Sequence, residues 1–307
     1  MATLAEAIRT RTQARVGGFR SNISWGRVFI YAVLIVGAFA SLMPFIYMLL
    51  TSVKSYGDVI NNNFWPWAPF GDSPIMWDNY PDAVQTTGFD KQWQMSLLVR
   101  YFLNSIIVTT FTVGGVLVTS VLAAYALAQM NLPGKQLIFI LILATIMVPA
   151  DLTLVPKVVM MFQFKWYNTY LALIVPFLAS VFGIFLLRQF FMQIPKDLYD
   201  AALIDGAGHL RYLFAVVIPL SKPAIVTTAL LNFIWAWDSF KWPLLVTRDS
   251  NMRVVAVGLQ QFMAGEGGTK VQLLMAFATM VVIPVLVFYF VTQKYFKEGV
   301  ITTGIKG

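Results

Sequence analysis

The chain has 307 residues, 58% hydrophobic and 12% charged, with a mean hydropathy of +0.71 and a formal net charge of +8. A soluble domain carries about 25% charged residues, and this much apolar surface exceeds what one core can hide, so lipid must cover part of it. The lack of cysteine excludes disulfides, thiolate chemistry and cysteine-ligated metals; the basic residues flank apolar segments and form no single patch, which argues against a nucleic-acid surface.

Residues 1–27 are polar and hold five arginines and one glutamate. The apolar run that begins at Val28 is too long for a signal-peptide core and has no small-residue cleavage site behind it, so it reads as a retained first span. Stretches of roughly 20 apolar residues, enough to cross the hydrocarbon layer, fall at about 28–50, 102–128, 137–159, 170–190, 222–247 and 271–293. Each is expected to be helical, because lipid offers backbone N–H and C=O groups no partner. The expectation is an all-α integral membrane protein: a cytoplasmic segment at 1–27, a six-span domain at 28–293 containing a loop at 191–221, and a cytoplasmic tail at 294–307. With both termini inside, 13 of the 22 Lys and Arg residues fall on the inner side.

Residues 51–100 then lie outside. They contain Trp65, Trp67, Trp77 and Trp93 with Pro66, Pro69, Pro74 and Pro81, read either as an aromatic belt with turns or as a docking surface for an external protein. Asn61, Asn62 and Asn63 read only as an exposed turn. In the second span, Gly114 and Gly115 among Thr109, Thr110, Thr112, Thr119 and Ser120 predict close helix packing. Pro149, Pro156, Pro176 and Pro284 interrupt helices, as kinks or as the lining of a path.

The stretch DLYDAALIDGAGHLRYLFAVVIPLSKP (197–223) is polar and glycine-bearing in an otherwise apolar chain. Pro195 can open a short helix over 196–204, with Asp197 and Asp200 near its positive end. Leu198, Ala201 and Ala202 share a face on which small side chains admit a partner closely. Gly206 supplies the positive φ that stops the helix, Asp205 is expected to cap a second helix over 207–215, and Pro219 and Pro223 turn the chain into the fifth span. Such a bent element suits insertion into a groove on a cytosolic partner.

These residues resemble the EAA motif of permease subunits of binding-protein-dependent ABC importers: EAA, three residues, Gly, nine residues, then Ile-x-Leu-Pro. Here Asp200-Ala201-Ala202 is followed at the same spacing by Gly206 and by Val216, Ile218 and Pro219. FLLRQFFMQIPKDLYDAALIDGAG (185–208), LNFIWAWDSFKWPLLV (231–246), MVPADLTLVPKVVMMFQFKWYNTYLALIVP (147–176) and YFKEGVITTGIKG (295–307) are similar to the maltose-type carbohydrate permeases, the last to the second of their two permease chains. Where that family has Trp-Asn, this chain has Trp237-Asp238.

The resemblance implies a type I-like ABC importer fold in a bacterial or archaeal cytoplasmic membrane. It implies a heterodimer with a second permease subunit, two cytosolic ATPase subunits that carry ATP and Mg, and an extracytoplasmic solute-binding protein that delivers a sugar. The loop would be the coupling helix, with Asp200, Ala201, Ala202, Asp205, Gly206, Ala207 and Pro219 as its contact and shaping residues. This chain has no P-loop (GEGGTK at 265–270 lacks the spacing) and no acid pair, histidine cluster or activated nucleophile, so it is expected to be no enzyme and to bind no cofactor or metal itself. His209, the single histidine, is expected to face solvent or the ATPase. Polar groups within spans are candidates for the substrate path: Asn104, Asn232 and Asp238, with Trp235 or Trp237 stacking on a sugar ring. A structural alternative pairs Asp238 with Lys241. TTGIKG (302–307) reads as a frayed end, and by resemblance as a tail reaching between permease and ATPases. The alternative cargo is glycerol phosphate or a polyol-like solute. A secondary transporter is disfavoured, since the spans offer few ionisable residues and no clear inverted repeat.

Overall fold

The computed structural model describes residues 25–65, 74–92, 94–263 and 270–303, without the side chains of 261–263 and 296–303. Trp67, Trp93, Pro66, Pro69, most of GEGGTK, residues 1–24 and the final four residues lie outside the described residues. The chain divides at Tyr47–Met48 into a helical N-terminal unit and a larger one. Helix α1 (Trp25–Ser52) covers the first expected span and carries Pro44 within it.

The segment after α1 is held by side chains. Asn79 donates from Nδ2 to the carbonyls of Ser52 (2.9 Å) and Lys54 (2.8 Å). Ser55 caps the short helix α2 (Tyr56–Ile60) by accepting the Asp58 N–H. The asparagine triplet is more than a turn. Asn61 ends α2, Asn62 adopts φ +56°, and Asn63 donates to Asp58 Oδ1 at 2.8 Å. Asparagine takes a left-handed backbone more readily than other side chains do. Helix α3 (Asn79–Thr86) and a short hairpin, β1 (Phe89–Asp90) paired antiparallel with β2 (Met95–Ser96), complete this region.

Helix α4 (Leu97–Gln129) begins where Ser96 Oγ accepts the Leu98 N–H. The glycine pair acts at one position only. A Cβ on Gly115 would stand 2.3 Å from Leu178 Cδ2, whereas Gly114 faces open space.

The expected continuous span at 137–159 is broken. Helix α5 (Lys135–Ala144) runs through a 3-10 turn to Met147, and the chain resumes at Ala150 into α6 (Leu154–Gln163), bent by 88°. Pro149 has no N–H and clashes with the carbonyl four residues back. Tight turns keep the backbone bonded there: Val148 N–H to the Thr145 carbonyl and Leu152 N–H to that of Pro149.

The next crossing, Tyr170–Phe191, comprises α7 (Tyr170–Ile174), a 3-10 turn through Pro176, and α8 (Val181–Phe191), capped by Ser180. Then come α9 (Asp197–Ile204), α10 (His209–Tyr212), a π-helical stretch Leu213–Val217 and α11 (Ile218–Leu220). An 80° bend leads into α12 (Lys222–Trp237). The expected span 222–247 stops being helical at Trp237. Pro243 cannot donate a helical bond, so it sits in the first turn of a separate helix, α13 (Lys241–Val246), where no donor is needed. Helices α14 (Val255–Met263) and α15 (Val271–Thr303) follow, α15 running past the expected end at 293.

Among the described residues, four helical stretches are long and apolar enough to cross a membrane, and up to six if each bent pair counts as one crossing. Helix α4 is central and packs along α8 and α12. Among the described residues, the three largest apolar clusters line it. One joins Val121, Ala124 and Tyr125 to Leu187, Phe191, Leu213 and Ala224; a second joins Val108 to Leu173, Trp242 and Val254; a third joins Tyr101 to Trp237, Val255 and Phe277.

Candidate functional site

Two parts of the fold carry the residues singled out in the sequence. The first is the 191–221 loop. Helix α9 starts at Asp197, with Asp197 and Asp200 in its first turn. It ends in a two-bond glycine motif: Ala207 N–H bonds the Ala202 carbonyl at 2.8 Å, Gly206 N–H bonds that of Leu203 at 3.0 Å, and Gly206 has φ +74°. Asp205 does not cap the following helix as expected. It is the C-cap of α9, and α10 begins at Gly208 without a side-chain cap. Ala202 turns inward to the cluster around Tyr125, which leaves Ala201, Leu198, Leu203 and Ile204 on the open side, Ile204 87% exposed. Pro219 lacks the N–H that Ala215 would receive, and the helix widens to a π turn just before it.

The second is a cleft of about 650 Å³ bounded by Ala150, Asp151, Leu154 and Lys157 from one broken helix and by Trp235, Asp238, Phe240 and Lys241 from another. Phe177, just after Pro176, lines it too. A smaller cleft of about 320 Å³, lined by Ser180, Phe182, Leu231 and Asn232 among others, shares Phe177 and Trp235 with it. The Phe177 and Trp235 rings meet edge to face at 5.0 Å. Three helix breaks, each beside a proline, therefore face the same space. Trp235 is 51% exposed there, and Asp238 ends α12 with its side chain exposed.

The sequence-derived path residues separate cleanly. Asn232, Trp235 and Asp238 come together around these clefts. Trp237 does not. It is 2% exposed, stacks on Phe233 at 5.8 Å and donates from Nε1 to the Val281 carbonyl at 3.1 Å. Asn104 is fully buried; its Nδ2 donates to the carbonyls of Asn251 and Arg253, both at 2.8 Å, and its Oδ1 accepts from Tyr170 Oη at 2.6 Å. Both belong to the framework. The Asp238–Lys241 pairing is replaced: Lys241 Nζ meets Asp151 Oδ1 at 3.3 Å.

Sequence reasoning missed Asp151, Lys157 and Phe177. The available signal was two charges in an apolar run, Asp151 two residues after Pro149 and Lys157 directly after Pro156. His209 is exposed, as expected, and is in addition hydrogen-bonded to Tyr125 and Tyr199, which sequence reasoning did not foresee.

A second asparagine holds the loop after α13. Asn168, with φ +61°, donates its N–H to the Val246 carbonyl and accepts at Oδ1 from the N–H groups of Arg248 and Asp249.

The family described as binding-protein-dependent transport system inner membrane component matches residues 115–302, more than half of the chain. The sn-glycerol-3-phosphate transport system permease protein UgpE of Pectobacterium atrosepticum is 30% identical over 277 residues, spanning 89% of this chain and 95% of its own. The diacetylchitobiose uptake system permease protein NgcG of Streptomyces coelicolor is 30% identical over 267 residues (86% and 84%). The arabinooligosaccharides transport system permease protein AraQ of Halalkalibacterium halodurans is 28% identical over 270 residues (88% and 93%). A solved bacterial ABC transporter involved in the import of the acidic polysaccharide alginate has a chain that superposes with a TM-score of 0.76 at 26% identity, covering 91% of this chain and 99% of that one. A chain of the alginate transporter in complex with alginate pentasaccharide-bound periplasmic protein shares the fold at 13% identity and a TM-score of 0.57, covering 87% of this chain and 93% of its own. Helix breaks around a membrane cleft, an exposed glycine-ended helix and a family match over most of the fold thus agree, and the chain belongs to the inner-membrane permease subunits of binding-protein-dependent ABC importers, a multi-pass transport protein and not an enzyme.

Proposed function

We propose that this chain forms half of a path for a di- or oligosaccharide, paired with a second permease, fed by an extracytoplasmic solute-binding protein and driven by two cytosolic ATPase subunits that hold ATP and Mg. The observation that carries the cargo reading is the convergence of three helix breaks on one cleft with Trp235 and Asp238 in its wall. Non-helical backbone is tolerated at membrane depth only where it is buried in protein or lines a cavity. A half-exposed indole offers a flat apolar face to a pyranose ring, and Asp238 and Asn232 offer groups for its hydroxyls. Asp151 and Asp238 balance Lys157 and Lys241, so the cleft has no cationic excess to gather a phosphate. The likeness to UgpE supports glycerol phosphate as the second reading, and the likenesses to NgcG and AraQ support the first.

The 191–221 loop is the ATPase-docking element of this reading, and it lies on the cytoplasmic side with both termini. Leu198, Ala201, Leu203 and Ile204 form its contact face, and Gly206 and Pro219 fix its shape. Closure of the ATPase pair moves α9 as a rigid body and switches the cleft between the two sides.

The test is ATP-driven uptake into vesicles by the chain assembled with its partner permease, ATPases and binding protein. Trp235→Ala should lower maximal sugar uptake roughly tenfold, the scale of a lost aromatic contact, with ATPase still bound. Uptake of glycerol 3-phosphate in place of sugar overturns the cargo reading. Uptake by the chain alone without ATP overturns the coupling.

A further inference from the structure

One imidazole joins helix α9 to helix α4 by hydrogen bonds, beside the packing of Tyr199 and Ala202 on the interior. His209 Nδ1 stands 2.9 Å from Tyr125 Oη, and His209 Nε2 stands 3.0 Å from Tyr199 Oη. Tyr125 lies in the last turns of α4, and Tyr199 lies in α9. The imidazole stacks on the Tyr199 ring (centroids 5.1 Å apart, planes at 15°) and meets the Tyr125 ring edge-on at 6.0 Å. Tyr212 closes the group, 5.1 Å from Tyr199 and 6.4 Å from Tyr125. Tyr125 and Tyr212 are buried in the cluster shared by α4, α8 and α12, and Tyr199 packs against it.

A neutral imidazole carries one N–H and one lone pair, and a phenol can give or take a hydrogen bond. One histidine therefore satisfies both hydroxyls in either tautomer. The bridge has a mechanical reason. Helix α9 leaves the bundle through the irregular stretch 192–196 and rejoins it through Gly206 and Gly208. A push on α9 would otherwise bend the chain at those glycines. Helix α4 packs along α12, which carries Trp235 and Asp238, so a fixed link from α9 to α4 reaches the cleft wall.

We propose that His209 is a positioning residue of the coupling step: its imidazole locks α9 to the end of α4, so that movement of α9 displaces the spans and does not dissipate in the loop. This rests on the reading of the 191–221 loop as the ATPase-docking element.

The experiment uses the assembled transporter in vesicles and measures bound ATPase, ATP hydrolysis and solute uptake on the same preparation. His209→Phe keeps the ring stack and removes both bonds. It should retain the ATPase and lower solute moved per ATP hydrolysed about fivefold, the effect of one to two lost hydrogen bonds. Tyr125→Phe and Tyr199→Phe should each lower the same ratio. Tyr125→Phe added to His209→Phe should change it no further, because the bond is already gone. A purely structural role lowers uptake and hydrolysis together and leaves the ratio alone. An unchanged ratio in His209→Phe, or multiplying effects in the double variant, overturns the proposal; if His209→Phe does not assemble, the ratio in Tyr125→Phe decides it in the same way. Ile204→Asp tests the loop reading separately. It should release the ATPase, and retention overturns that reading whatever the histidine variants do.

Discussion

Lys241 and Asp151, ninety residues apart, meet at 3.3 Å and join two helix breaks that wall one cleft. Both side chains are largely exposed, at 71% and 76%, so the pair is worth less than about 1 kcal/mol. Lys241→Met should lower stability by no more than that in thermal unfolding of the solubilised chain. Asp238→Asn breaks no pair and should leave stability unchanged while altering uptake. A large stability loss in Asp238→Asn would restore the pairing of Asp238 with Lys241.

Gly206 needs its φ of +74° and nothing else. An added Cβ there meets no atom within 4 Å. The penalty for other residues is therefore backbone strain, about 1–2 kcal/mol for an ordinary side chain and more for a β-branched one. The expected order of retained ATPase binding is Gly206→Asn above Gly206→Ala above Gly206→Val, read by co-purification. Equal binding in all three would separate the shape of the loop from docking.

Gly258 presents the opposite case. A Cβ there would stand 2.3 Å from Cδ2 of Tyr101, whose ring is fully buried. Gly258→Ala should destabilise by about 1–3 kcal/mol, the usual range for overpacking. Gly114→Ala, into open space within α4, should not destabilise the isolated chain and should raise its melting temperature slightly, because alanine is the better helix former.

Lys54 gives a pH signature outside the spans. Burial pulls its ammonium below the usual lysine value of 10.5, and nearby Asp58 offsets only part of that. The folded chain therefore binds fewer protons at this site than the unfolded chain, between the depressed value and 10.5. Stability from this group rises with pH across that window. The difference in stability between the native chain and Lys54→Met should shift in favour of the native chain as pH climbs toward 10.5. A flat difference would mean that Lys54 titrates normally.

Much of this was legible in the sequence, and the rest was not for definite reasons. Hydropathy located the crossings because lipid imposes length and helicity together. Gly206 announced its backbone because few other residues adopt it. Pro149 and Pro176 announced breaks, whereas Pro156 lies within α6 and Pro284 within α15 without interrupting them. That the breaks beside Pro149, Pro176 and Pro243 face one space was not legible, since that depends on how helices far apart in sequence pack. Polarity within a span marked Asn104, Asn232 and Asp238 alike. Only tertiary contact separates Asn104, whose carbonyl partners lie almost 150 residues later, from residues that line the cleft. The exposure of His209 was legible, but its bond to Tyr125 was not, because that partner lies 84 residues away.

The loop from Thr247 to Arg253 makes a 3-10 turn of its own but is also pinned by side chains from elsewhere. Asn168 holds Arg248 and Asp249 at one end, and Asn104 holds Asn251 and Arg253 at the other. A reporter peptide inserted between Arg248 and Met252 would unseat both asparagines, and through Asn104 it would loosen the central helix. Loop insertions are tolerated where the backbone is free of such bonds. Topology tags placed in this loop should therefore cost expression, although its surface exposure advertises the opposite.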